Sequence, residues 1–236
     1  HRPNGPRMQS LDWKRLGSGR RSSVGHVFNV PVIGTLKTCP TEIMQSETQF
    51  AFKEWSVVCA ALGAGRQTLI LRKGGIHEGR DGFRVEHREF WLFPTGFHQQ
   101  RDEVIPEAWP LLDEAQSHGQ PSGISLDLYA VVEDVHHIHD RAVLSQLSGR
   151  HVWSEATVEQ RFQYRTPGLF VLLVRVYRRP APIVIADSPH FAGCKSWVDL
   201  PSPLSTHGLQ PVLDDAKFDR HRSQFQELLA VKHPVP

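Results

Sequence analysis

Apolar side chains fall at Phe52, Trp55, Val58, Cys59 and Leu62 with polar residues between them. That spacing predicts a helix over 47–63, stopped by Gly63 and Gly65. Thr68 to Leu71 is a short apolar run ending in Arg72-Lys73 and Gly74-Gly75, which predicts a strand and a turn. The stretch 77–88 is polar and reads as a loop, and Phe90 to Phe93 predicts a second strand closed by Pro94. Pro106 and Pro110 leave only a poor helix over 105–114. The even positions Ile124, Leu126, Leu128, Ala130 and Val132 are all apolar, which predicts a strand with one core face. Leu169 to Val174 is continuously apolar, as in a strand covered on both faces, and 183–185 is a further candidate strand. Helices are expected over 141–147, over 155–162 with Ser154 as N-cap, and over 214–231 with Phe218, Phe225, Leu228 and Leu229 on one face. Helices and strands interleave. The expected fold class is therefore α+β: a single domain with a mixed β-sheet flanked by helices.

Charge changes this picture at the N-terminus. The chain has 236 residues and a formal net charge of +2. Residues 1–43 hold seven Lys or Arg (Arg2, Arg7, Lys14, Arg15, Arg20, Arg21, Lys37) against Asp12 and Glu42. That surplus of five leaves 44–236 at −3, so the basic character belongs to the first segment. The stretch Gly17-Ser-Gly-Arg-Arg-Ser-Ser23 has too little apolar surface to offset its ordering entropy. Together with a first residue that is His1, this gives the expectation of a disordered or non-native tail over 1–43 ahead of a start at Met44. A basic arm for nucleic acid is the other reading. The remaining length, about 190 residues, suits one domain, 44–236, ending in a helix. No run reaches the 18 or so apolar residues of a membrane span, and no signal-peptide pattern is present. Cys39, Cys59 and Cys194 are odd in number and lack metal-site spacing, so a cytoplasmic protein with free thiols is expected.

Candidate chemistry gathers between Gln67 and Gln99. Arg72 and Lys73 end an apolar strand and precede two glycines, whose backbone can turn N–H groups toward an anion. The pair reads as a phosphate cradle or as an ordinary solvated strand end. Arg175 falls on the same strand face as Leu169, Val171 and Leu173 and needs a carboxylate, a carbonyl or a bound anion. Arg161, Arg165 and Arg178 interleave with Phe162, Tyr164 and Tyr177, a mixture suited to stacked bases and phosphates or to surface ion pairs. Glu78, Glu86, His87 and His98 are the acid–base candidates, and equally read as solvated loop residues. The run Asp134-Val-His-His-Ile-His-Asp140 lacks a metal-ligand pattern and reads as exposed residues after a strand. Cys194 has a cationic neighbour in Lys195, as a nucleophile would, but reads equally as a small buried side chain.

The segment from the Lys53-Glu54-Trp55 stretch through LILRKGGIHE to FWLFPTGFHQ resembles the bacterial family known as domain of unknown function 1802. So does HVWSEATVEQRFQYRTPGLFVLLVRVYR with its close at Gly193-Cys194-Lys195-Ser196-Trp197-Val198-Asp199-Leu200. The resemblance runs from about 50 to 200 and implies no particular activity. The entry to FWLFPTG is also similar to that of a Nudix hydrolase. Counted from Gly96, however, the Arg-Glu slots of that box hold Pro110 and Leu111, and its metal-binding core is missing.

The function expected from the residues is binding of a phosphate-bearing ligand, a nucleic acid or nucleotide, through Arg72, Lys73, Arg165 and Arg175, with Arg72 and Arg175 in one concavity. A metal-dependent hydrolase using Glu78, Glu86, His87 and His98 with a divalent metal is the alternative. A non-catalytic structural domain is the third.

Overall fold

Strand β1, Glu47–Trp55, alternates over its second half: Phe52 and Glu54 are buried on one side, while Ala51 packs on the other. The structure is a computed structural model and describes residues 44–73, 83–96, 100–117, 123–193 and 195–230. The helix expected over 47–63 is therefore a strand followed by a short helix, α1, Ser56–Gly63. Phe52 and Trp55 are three apart and fit either period. The buried charge at Glu54 hid the alternation.

Among the described residues the strands form one seven-stranded mixed sheet. After β1 come β2 (Leu69–Arg72), β3 (Glu89–Thr95), β4 (Ile124–Ile138), β5 (Leu169–Ile185), β6 (Trp197–Ser205) and β7 (Gln210–Pro211). The order across the sheet is β2-β5-β4-β3-β1-β6, with β7 paired to β5. Among the described residues only β1 and β3 pair in parallel. As its apolar faces predict, β3 is interior: Phe90 and Leu92 face one core cluster, Trp91 and Phe93 the other, and all four are buried.

The remaining helices are α2 (Trp109–Ser117), α3 (Arg141–Ser145), α4 (Glu155–Gln163) and α5 (Asp215–Ala230). Ser154 caps α4 as expected, its hydroxyl accepting from the Thr157 N–H. Every helix contributes to the larger core cluster, through Leu62, Leu112, Leu144, Phe162, Phe218 and Phe225 among others. A smaller cluster on the other side of β1, β3 and β6 joins Trp91, Tyr129, Leu126, Phe191 and Val198.

Two expectations for the long strands are corrected. The five even positions of β4 do not share a face. The pairing is irregular around Asp127, where Leu126 faces Ile183 but Leu128 faces Arg178. Leu126 consequently points to the smaller cluster and Leu128 to the larger. The strand also continues through the histidine run to Ile138, so His136 and His137 are half-buried sheet residues rather than exposed ones. Likewise Leu169–Val174 and 183–185 are parts of one 17-residue strand. The sheet is curled. Arg72, on the edge strand β2, donates a hydrogen bond to the carbonyl of Lys53 on β1, four strands away in the sheet order.

Candidate functional site

Glu54 is 1% exposed, and a carboxylate at such a depth must be matched. Its Oε1 accepts the N–H of Trp55 at 2.7 Å, and its Oε2 lies 3.6 Å from Nη1 of Arg72. Arg72 closes β2, and its Nη2 donates to the Lys53 carbonyl and to Oγ of Ser196, both at 3.0 Å. The guanidinium lies over the Phe52 ring, 4.3 Å from the centroid. Arg72 is thus engaged on several sides by the protein itself.

Lys73 is engaged as well. Its Nζ donates to the carbonyls of Phe162 at 3.0 Å and Gly168 at 2.7 Å, and to that of Thr166. Three acceptors match the three donors of an ammonium. Burial lowers its pKa from the usual lysine range. The expected ligand-binding lysine instead holds the turn that follows α4.

What this end of the molecule leaves uncommitted is Arg161, near the end of α4. Its guanidinium carbon stands 3.7 Å from the centroid of the buried Trp153 ring and 5.3 Å from that of the half-buried Trp55. The two indoles meet edge-on at 4.7 Å. Burial lowers the Arg161 pKa, against the fields of Glu54 and Glu103, which favour the charge. Among the described residues none accepts a hydrogen bond from this guanidinium. Five N–H donors in a planar fork, backed by an aromatic face, suit a bidentate oxyanion such as phosphate. Just beyond the helix, Tyr164 is 48% exposed, and Arg165 stands over its ring at 5.1 Å. Arg165 has φ of 61°, an uncommon left-handed conformation for a residue with a Cβ.

Arg175 is not brought to this place. β2 runs antiparallel to β5, with Arg72 opposite Phe170 and Leu69 opposite Leu173. Arg175 lies five residues along β5 from Phe170, about 17 Å at strand rise, beyond the opposite end of β2. There it donates to Asp215 at the head of α5 and lies over Phe218 at 5.2 Å and Tyr177 at 5.7 Å. Burial opposes its charge, but the hydrogen bond to Asp215 leaves the pKa raised overall. A single concavity for Arg72 and Arg175 would have required their strands to end on the same side.

Of the acid–base candidates, Glu78 and His98 lie outside the described residues, as do Cys39 and Cys194. Glu86 is exposed. His87 stacks on Phe50, with ring centroids 3.5 Å apart, and meets the edge of Trp197, and burial lowers its pKa. Among the described residues no three His, Cys, Asp or Glu converge as metal ligands. Cys59 is a buried free thiol whose pKa is raised by burial. No helix among the described residues is long and apolar enough to cross a membrane.

Sequence reasoning placed Arg161 in a basic–aromatic cluster but missed Glu54 and the two tryptophans. The available signal was a charged residue at a core-facing even position of β1, visible only once that segment is read as a strand.

No curated protein matches the chain. Among solved structures, the ASCH protein from Zymomonas mobilis is 14% identical with a TM-score of 0.38, the match covering 79% of this chain and 97% of that one. A serine-to-alanine mutant of it is 14% identical with a TM-score of 0.39, covering 76% and 97%. A tyrosine-to-phenylalanine mutant is 17% identical with a TM-score of 0.36, covering 64% and 88%. Likeness at this level carries no site across. The profile of the family described as domain of unknown function (DUF1802) matches residues 51–224, most of the chain, and the chain belongs to that family.

Proposed function

We propose that the domain binds a phosphate-bearing ligand, a nucleotide or nucleic acid, where Arg161 meets Trp153 and Trp55. The carrying observation is the Arg161 guanidinium itself, half-buried on an indole with no hydrogen-bond acceptor among the described residues. A half-buried guanidinium whose N–H groups meet no protein acceptor among the described residues is open to a ligand that supplies acceptors in fixed geometry. A phosphate would supply two in one plane. Glu54 and Arg72 hold the floor of the niche, and Lys73 fixes the turn that carries Tyr164 and Arg165. Tyr164 offers an exposed face on which a base can stack. Arg175, held by Asp215 elsewhere, has no part in this reading.

Trp55 and Trp153 provide the test. ADP and a short single-stranded oligonucleotide are titrated while tryptophan emission is followed. Binding is expected to change the emission and to weaken steeply with salt for the oligonucleotide, because each neutralised phosphate releases counterion. Arg161→Ala is expected to weaken binding tenfold or more, about 1.4 kcal/mol. Arg161→Lys is not expected to restore it, since an ammonium lacks the planar fork. Equal binding by wild type and Arg161→Ala, or none by wild type, would refute the reading.

A further inference from the structure

On α4, Glu155 and Glu159 are one turn apart, and Arg161 lies roughly 200° around the helix from Glu159. The side of α4 away from Arg161 borders a cavity of about 360 Å³ shared with α3. That volume is at the lower end of the range for small-molecule sites, about 300–1,000 Å³.

Leu144 and Val158, both buried, give the cavity an apolar lining. Glu155, Glu159 and Arg141 are its charged lining. Arg141 donates to Glu159 at 2.8 Å, which cancels one carboxylate. Glu155 has no partner among the described residues, so the lining keeps a negative excess.

His151 also lines the cavity. It is 5% exposed, and its Nδ1 is buried without a hydrogen-bond partner. Burial lowers its pKa to about 4, with the Arg161 charge acting in the same direction and backbone hydrogen bonds opposing. At neutral pH the imidazole is therefore uncharged and keeps one nitrogen lone pair. A buried imidazole nitrogen without a partner, beside an exposed carboxylate that no cation of the described residues answers, suits a ligand rich in N–H donors. An ammonium has three donors and no acceptor.

We propose that this cavity is a second ligand site, separate from the Arg161 niche, for a protonated amine on an apolar stem, with the ammonium against Glu155 and His151 and the stem on Leu144 and Val158. An anion is disfavoured by the negative charge that Glu155 leaves in excess. A neutral alcohol gains nothing from the unpaired charge of Glu155. The amine can be a free small molecule or a lysine side chain of another protein.

The test uses n-butylammonium as the small amine and lysine capped at both ends as the side-chain mimic. Butanol and butyrate are the neutral and anionic controls. Binding is read from the melting temperature of the full chain and from the NMR signals of the His151 ring. Both amines are expected to raise the melting temperature and shift the His151 signals, and the controls to do neither. Tighter binding of the capped lysine assigns the site to a protein side chain and tighter binding of butylammonium to a free amine, and either ordering supports the amine chemistry. Glu155→Gln, at an exposed position that does not endanger folding, is expected to weaken amine binding tenfold or more. His151→Phe is expected to do the same if it folds. Butanol binding as well as butylammonium, or Glu155→Gln binding unchanged, would overturn the proposal. Arg161→Ala is expected to leave amine binding in place, which keeps this outcome separate from the nucleotide reading.

Discussion

Arg161 and Arg175 are both half-buried arginines laid on aromatic rings, yet their surroundings differ in kind. Arg175 rests on Phe218 and Tyr177 and is answered by Asp215, a residue of the helix that packs beside it. Arg161 rests on Trp153 and Trp55 and is answered, among the described residues, only by the fields of Glu54 and Glu103 at a distance. An arginine on an aromatic ring is therefore not in itself a sign of a site. The informative difference is whether a carboxylate of the protein answers the guanidinium: Asp215 answers Arg175, although its Nε stays buried without a hydrogen-bond partner, and among the described residues no carboxylate is bonded to Arg161.

Perturbation should separate the two ends, and the largest effect belongs to the acid beneath Arg161. Glu54→Gln removes a buried carboxylate and leaves Arg72 and Arg161 facing each other. A loss of about 3–5 kcal/mol is expected in denaturant unfolding. A loss below about 1 kcal/mol would mean that Glu54 does not balance these cations.

Acid comes next. His151 has a folded pKa of about 4 against an ordinary value of 6.5. Between those values the unfolded chain binds the extra proton, so stability rises with pH through this window and falls on acidification. The slope is about 1.4 kcal/mol per pH unit at most. His151→Phe should flatten it. Because the Arg161 charge helps to hold His151 neutral, Arg161→Ala should raise the His151 pKa in an NMR titration, whereas Arg175→Ala should leave it unmoved. Identical titrations in both variants would erase the distinction.

Smaller effects are expected at the Arg175 end. Arg175→Ala should lower stability by about 1 kcal/mol, through lost packing on Phe218, without altering ADP or oligonucleotide binding. Asp215 is 83% exposed, so Asp215→Asn should change thermal or denaturant stability by less than about 1 kcal/mol. Loss of ligand binding in either variant would return Arg175 to the site and dissolve the contrast.

Much of the scaffold was legible because its signals are local. Ser154 before Glu155 marks a cap, the spacing of Phe218 and Phe225 marks the buried face of α5, and Phe90 to Phe93 carries apolar residues on both faces of an interior strand. The rest depended on partners distant in sequence. β1 is a strand because β3 and β6 flank it, and the residues from 47 to 55 do not announce those neighbours. The even positions of β4 change sides at Asp127 because β5 carries extra residues there, between Arg178 and Ile183. The candidate site suffered in the same way. Arg72 and Lys73 were conspicuous in sequence, but their acceptors, at Lys53, Phe162 and Gly168, come from other elements. Arg161 gained interest because its neighbours fail to bond it, and only a structure can reveal that.

The far ends of β4 and β5 carry a consequence for self-association. Beyond the irregularity at Asp127, Ile124, Ser125 and Leu126 pair with Ile185, Val184 and Ile183, and none of these six pairs with a further strand among the described residues. Val184 is 67% exposed. Such a margin is a template on which strands of other molecules can add and grow. Pro180 and Pro182 stand immediately before it, and neither has an N–H to offer an incoming strand. Replacing both by threonine would lengthen the available ladder, and the first symptom would be concentration-dependent precipitation rather than loss of the fold.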